Sequence, residues 1–92
     1  YPVHDGPMHV HLGQLYTKLG NPRGAIREYE AVLAENPIDA ATAHFELAKA
    51  YLGVSDRGKA ESNLLDALEA APGFKPAQKL LLEMNSGRKE NP

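Results

Sequence analysis

The sequence contains neither cysteine nor tryptophan among its 92 residues. Without cysteine, the chain has no disulfide, no thiolate zinc site and no cysteine nucleophile. No apolar run approaches the ~20 residues that a membrane-spanning helix needs, and no segment has the pattern of a secretory signal peptide. We therefore expect a soluble protein without a membrane partner, with the cytoplasm slightly favoured as its location.

An excess of charge of either sign is also missing. The chain carries 10 Lys and Arg against 12 Asp and Glu, which gives a formal net charge of −2. Because nucleic-acid binding depends on a basic excess, we expect no nucleic-acid partner. The apolar fraction of 42% is that of one globular domain. The first residue is Tyr1 rather than Met, so we expect a segment cut from a longer chain, or a processed one.

What the sequence does contain is an internal repeat. A displacement of 35 residues aligns the chain with itself over a whole unit, and a third, partial copy follows Pro72. A repeat of this length is typical of repeat proteins, in which each repeat forms one supersecondary unit that stacks on the next. The aligned pairs are His9 and His44, Leu12 and Leu47, Tyr16 and Tyr51, Ala25 and Ala60, Leu33 and Leu68, and Pro37 and Pro72.

Local signals predict that each unit is a pair of helices. Apolar residues recur with helical spacing through both halves of each unit, and no segment alternates with the period of a strand. Gly20 can take the left-handed conformation that ends the first helix. Asn21 is the expected cap of the second helix, Asp39 of the third, and Ser55 or Asp56 of the fourth. The last helix is predicted from about Lys75 to Asn85, with Ser86-Gly87 as its end.

The spacing of these residues resembles the tetratricopeptide repeat (TPR) signature, W-x2-L-G-x2-Y…A-x3-F…P. The resemblance covers about residues 6–85, but histidine replaces tryptophan in both units and the period is 35 rather than 34. The first unit offers His9, Leu12-Gly13, Tyr16, Ala25, Tyr29 and Pro37. The second offers His44, Leu47-Ala48, Tyr51, Ala60, Leu64 and Pro72.

The resemblance implies an all-α fold, a right-handed superhelix of antiparallel helix pairs. Five helices are expected: two TPR units and a C-terminal capping helix. The third copy has Leu82 where a small residue should be, which fits only if no further helix packs there. The implied division is a tail at 1–5, unit 1 at 6–39, unit 2 at 40–74, the capping helix at 75–86 and a tail at 87–92.

The histidines raise the question of a metal site. His9 and His11 point about 200° apart on a helix, so they cannot share one ion unless the helix unwinds. His4 lies before the helix and could reach either of them. A packing role explains His9 and His44 together, because they occupy equivalent positions in the two units. We therefore favour packing for both, expect no metal and place His11 toward a groove.

The residues that could perform catalysis do not form the pattern of a known type of active site. Acid–base catalysis needs two carboxyl groups in unlike environments of one pocket, and the acidic residues are scattered along helical surfaces. The serines lack the context of a nucleophile, and the glycines form no phosphate-binding loop. We expect neither an enzyme nor a cofactor.

In TPR domains the first helix of each unit lines a concave surface that usually binds a peptide or a partner helix. Chaperone-tail-binding TPR proteins hold a terminal carboxylate there with basic side chains, a clamp that Glu46 argues against here. The alternative that these residues are simply solvated helix surface stays open. By position, the lining residues would be Val10, His11, Gln14, Thr17 and Lys18, then Phe45, Glu46, Lys49 and Leu52, and finally Lys79, Leu80 and Glu83.

The leading interpretation is a protein–protein interaction or scaffold module. A second is an oligomerisation or spacer segment that associates with another copy, since two and a half repeats are short for a stable solenoid. A third is an accessory TPR segment attached to a bacterial enzyme whose catalytic part is absent from this sequence.

Overall fold

The computed structural model describes residues 6–35, 37 and 39–89, so the predicted tail at 1–5 and the last three residues lie outside it. The described part contains five α-helices and no strand, which confirms the all-α prediction. None of its helices has the length and apolar character needed to cross a membrane. The helices are α1 (Gly6–Lys18), α2 (Pro22–Ala34), α3 (Ala40–Gly53), α4 (Arg57–Ala70) and α5 (Lys75–Lys89).

The predicted caps begin the three middle helices. In each case a side-chain oxygen accepts a hydrogen bond from the backbone N–H three residues later, at 3.0 to 3.1 Å. Such a bond satisfies one of the N–H groups that have no partner within the helix. Of the two candidates for α4, Asp56 is the cap. The pairs are Asn21 with Gly24, Asp39 with Thr42, and Asp56 with Lys59.

The turns inside the two units have the same conformation. Gly20 has φ 73°, as its sequence position predicts, and Ser55 adopts φ 63° at the equivalent position. After each of them, the backbone N–H of the next residue donates to the carbonyl oxygen of Tyr16 or Tyr51. The hydrogen bonds of the turn therefore keep the left-handed conformation even where serine replaces glycine.

Close approach of α1 and α2 depends on two reciprocal contacts between glycine and tyrosine. A Cβ atom at Gly13 would lie 2.7 Å from the Tyr29 ring, and one at Gly24 would lie 2.7 Å from the Tyr16 ring. Both distances are too short for a real side chain, so each helix presents bare backbone to the other's aromatic ring. Ala48 of α3, which is equivalent to Gly13, is also small and is fully buried.

The core continues from one unit into the next, and the main packing contacts join helices that are adjacent in the chain. The Tyr51 hydroxyl donates a 2.6 Å hydrogen bond to the Glu30 carboxylate, which connects α3 to α2 of the preceding unit. Further along, the Arg57 guanidinium donates to the carbonyl oxygen of Met84 at 3.2 Å and connects α4 to α5.

Helix α5 packs as a partial third unit. Ala77 and Met84 are buried, Leu81 is half-buried, and Leu82 is 67% exposed, because none of the five described helices packs over it. The helix runs to Lys89, beyond its predicted end near residue 86. A helix tolerates one interior glycine at a cost of about 1 kcal/mol, so Ser86-Gly87 alone does not end it. The right-handed sense of the superhelix stays a prediction.

Burial predicts how the core responds to truncation. Leu47 is 3% exposed, so Leu47→Ala should lower the free energy of unfolding by about 2–5 kcal/mol through cavity formation. Leu65 is 52% exposed, and the same change there should cost less than about 1 kcal/mol. Urea unfolding followed by circular dichroism measures both, and equal losses at the two positions would contradict the packing described here.

The bond between Tyr51 and Glu30 also predicts a dependence on alkaline pH. The hydrogen bond to the carboxylate, with burial as a second cause, raises the pKa of Tyr51 from 10.0 to about 12. Because the folded state holds this proton more tightly, the stabilisation is complete below pH 10 and is lost as the pH rises toward about 12.

The stability of the wild type should therefore fall more steeply between these pH values than that of Tyr51→Phe, which has no phenol to ionise. Urea unfolding at stepped alkaline pH gives both curves. Tyr16→Phe is the control for loss of a phenol elsewhere. Parallel curves for the wild type and Tyr51→Phe would show that Tyr51 does not titrate in this range.

Candidate functional site: the groove between α1 and α3

Helices α1 and α3 form the two walls of an open groove, and Tyr29 of α2 lies at its floor. One cavity in the groove measures about 380 Å³ and a neighbouring one about 250 Å³, and both are lined by Gln14, Tyr29 and Glu46. A third cavity of about 330 Å³ continues from Glu46 toward the end of α3. We call this surface the α1–α3 groove and define it by Gln14, Thr17, Lys18, Tyr29, Glu46 and Lys49.

Charges of both signs line the α1–α3 groove. The Lys49 ammonium lies 3.2 Å from the Glu46 carboxylate one helical turn away, and 4.9 Å from the centre of the Phe45 ring. Both partners of this ion pair keep some solvent exposure, at 45% for Lys49 and 27% for Glu46. Lys18 adds a second cation on the opposite wall. The groove is therefore polar at its walls without a large excess of either sign.

The floor of the groove carries a polar atom that the sequence did not reveal. Tyr29 is 2% exposed, and among the described residues its hydroxyl has no hydrogen-bond partner. Burial, with the nearby negative charge of Glu46 as a second cause, raises the pKa of Tyr29 from 10.0 to about 12. The hydroxyl therefore keeps its proton at neutral pH and can donate a hydrogen bond.

Half of the residues predicted for the concave face line these cavities. Phe45 instead packs edge-to-face on Phe74, with ring centroids 5.6 Å apart, and Leu52 and Leu80 pack against the core. The residues that line the cavities are Val10, Gln14, Thr17, Lys18, Glu46 and Lys49.

The remaining predicted residues lie away from these cavities. Lys79 lines a separate surface cavity together with Lys75, Pro76 and Leu82 of α5. His11 and Glu83 are exposed and line none of the cavities described here. Helix α5 therefore adds no lining residue to the α1–α3 groove as we have defined it.

The histidines that replace tryptophan make equivalent contacts in the two units. His9 Nδ1 lies 2.6 Å from the Glu28 carboxylate, and His44 Nδ1 lies 2.9 Å from the side-chain oxygen of Asn63. With these acceptors Nδ1 carries the proton and donates, which joins the first helix of each unit to the second. His4 lies outside the described residues, within which no group of three or more candidate ligands could hold a metal ion.

Comparison with known proteins agrees with the geometry of the helix pairs. No curated protein matches the chain. A family model for the tetratricopeptide repeat matches residues 6–39, which contain α1, α2 and their connection to α3. Helices α3 and α4 repeat the pair formed by α1 and α2, with the same turn and equivalent buried positions. Residues 6–39 of the chain therefore match the tetratricopeptide repeat family, and α3 and α4 have the same helix-pair geometry.

Proposed function

We propose that the α1–α3 groove binds a peptide segment or a helix of a protein partner. TPR repeats are protein–protein interaction modules, and the observation that supports this particular site is the open groove itself. Its walls are set by the backbones of two helices, and Gln14, Thr17, Lys18 and Lys49 are exposed to solvent where a ligand can contact them. Preorganised walls of this kind reduce the entropy that binding must overcome.

The charges of the groove favour a partner segment without a dense charge of either sign. Glu46 disfavours a terminal carboxylate, and Lys18 and Lys49 disfavour a cluster of cations. Like charges facing each other across an interface reduce affinity and exclude wrong partners. A non-catalytic role is part of the same proposal, since TPR domains are typically non-catalytic.

A blocking substitution tests the groove. Gln14 is exposed at the groove, so Gln14→Arg should keep the fold and place a bulky cation where the ligand lies. Peptides are first selected with the wild type from a random-peptide phage library. Fluorescence anisotropy of the labelled peptides should then show a Kd at least ~10-fold higher for Gln14→Arg, which corresponds to about 1.4 kcal/mol.

Ser62→Arg is the matched control, because Ser62 is exposed on α4 and lines none of the groove cavities. It should bind the peptides as the wild type does. Equal weakening by Gln14→Arg and Ser62→Arg would place the binding surface elsewhere, and unchanged binding by both would exclude the α1–α3 groove.

Self-association is a second candidate function, favoured by an apolar stripe on α1 and the turn that follows it. Met8, Leu15 and Leu19 are 59%, 50% and 69% exposed. Their counterparts 35 residues later are buried or half-buried in the second unit, so the stripe has the character of a packing face. These counterparts are Ala43, Ala50 and Val54.

If the stripe pairs two copies of the chain, the molar mass from sedimentation equilibrium should rise with protein concentration. Leu15→Lys should then restore the monomer mass, because it places a charge in the apolar stripe. Leu65→Lys, at a residue with similar exposure on α4, should leave the association unchanged. A wild type that stays monomeric at high concentration would remove this candidate.

A further inference from the structure

The strongest unexplained feature of the molecule is the Tyr29 hydroxyl. Buried polar atoms in folded proteins are almost always hydrogen-bonded, because an unpartnered group loses its bonds to water without replacement. In the described part of the chain this is the one buried side-chain oxygen or nitrogen without a partner. It belongs to a residue that is 98% buried, with 2% of its surface exposed, and that lines the α1–α3 groove.

Packing does not require a hydroxyl at this position. The equivalent residue of the second unit is Leu64, which is fully buried. A leucine thus fills the same place between paired helices with no polar atom. The hydroxyl of Tyr29 is therefore an addition to the first unit that the fold alone does not explain.

Tyr29 lies beside the backbone of α1 and lines two cavities of the α1–α3 groove. Gly13 has no side chain, so the Cε2 and Cζ end of the Tyr29 ring lies directly beside the backbone of α1. The exposed Gln14 lines both cavities that Tyr29 lines. A ligand group in these cavities would lie beside Tyr29, and it would reach the buried hydroxyl after the side chains that cover this oxygen move.

The charged side chains of the α1–α3 groove favour an uncharged ligand group next to the Tyr29 hydroxyl. A carboxylate would face Glu46, and a cation would face Lys18 and Lys49. An uncharged amide avoids both repulsions and has a carbonyl oxygen that accepts and an N–H that donates. Tyr29 supplies the donor that such a group needs, and Glu46 supplies the acceptor.

We propose that the Tyr29 hydroxyl forms a subsite of the α1–α3 groove that binds an uncharged amide of a polypeptide partner. The amide carbonyl accepts from the Tyr29 hydroxyl, and the N–H of the same segment donates to the Glu46 carboxylate. This inference rests on the proposed function, and it adds the chemical group that the groove recognises.

Tyr29→Phe tests the subsite because it removes the hydroxyl and keeps the ring. The probes are the peptides selected with the wild type, synthesised with an acetylated N-terminus and an amidated C-terminus. Loss of one hydrogen bond should raise the Kd measured by fluorescence anisotropy about 5-fold. Tyr16→Phe, which removes a hydroxyl from a residue that lines none of the groove cavities, should leave Kd within about 2-fold of the wild type.

Stability of the free protein separates binding from folding. Because the hydroxyl has no partner inside the protein, Tyr29→Phe should have a Tm equal to or higher than that of the wild type. Tyr51→Phe, which loses the hydrogen bond to Glu30, should have a lower Tm than the wild type. This decrease in Tm is the reference for the loss of a hydroxyl that has a hydrogen-bond partner. A lower Tm for Tyr29→Phe would mean that its hydroxyl is bonded within the fold, and would overturn the inference.

Three further outcomes have distinct meanings. Equal binding of the capped peptides by the wild type and Tyr29→Phe overturns the subsite and leaves the proposed function intact. Binding that requires a free carboxylate or a basic side chain in the peptide also overturns the subsite, because the ligand group would be charged. A library from which the wild type selects no peptide overturns both the subsite and the proposed function.

Discussion

In the first unit, a reciprocal contact between two glycines and two tyrosines sets how closely α1 and α2 approach each other. Because Gly13 and Gly24 have no side chain, an aromatic ring of the other helix lies directly against the backbone at each of them. The resulting approach of α1 and α2 buries the Tyr29 ring and fixes the floor of the groove. Any larger residue at either glycine would displace a ring and separate the helices.

The second unit reaches the same arrangement with different residues. Ala48 takes the place of Gly13 and Leu64 that of Tyr29, so an alanine–leucine contact replaces a glycine–ring contact. The Tyr16 ring of the first unit lies against Gly24. In the second unit the equivalent residues are Tyr51 and Lys59, and the Lys59 ammonium lies 5.6 Å from the centre of the Tyr51 ring. The two units therefore keep the same helix pairing with different residues at these contacts.

Much of the fold could be predicted from the sequence because its signals are local. The caps at Asn21, Asp39 and Asp56 and the turn at Gly20 act within one helical turn. The apolar stripes indicate the helix faces that pack, although Leu15 in the stripe of α1 is half exposed. The site was harder to predict, since a position on the correct helix does not settle its contacts. Phe45 pairs with Phe74, and the missing partner of the Tyr29 hydroxyl depends on every neighbour in space. The comparison of Tyr29 with Leu64 was the one available signal.

The stacking of each helix on its neighbours in the chain has a consequence for folding kinetics. Contacts between adjacent helices have a short separation in sequence, so little loop-closure entropy is lost before packing begins. Chains of low contact order fold in microseconds to milliseconds. Folding can begin in either helix pair. The next helix then packs onto this pair, through contacts such as the hydrogen bond between Tyr51 and Glu30.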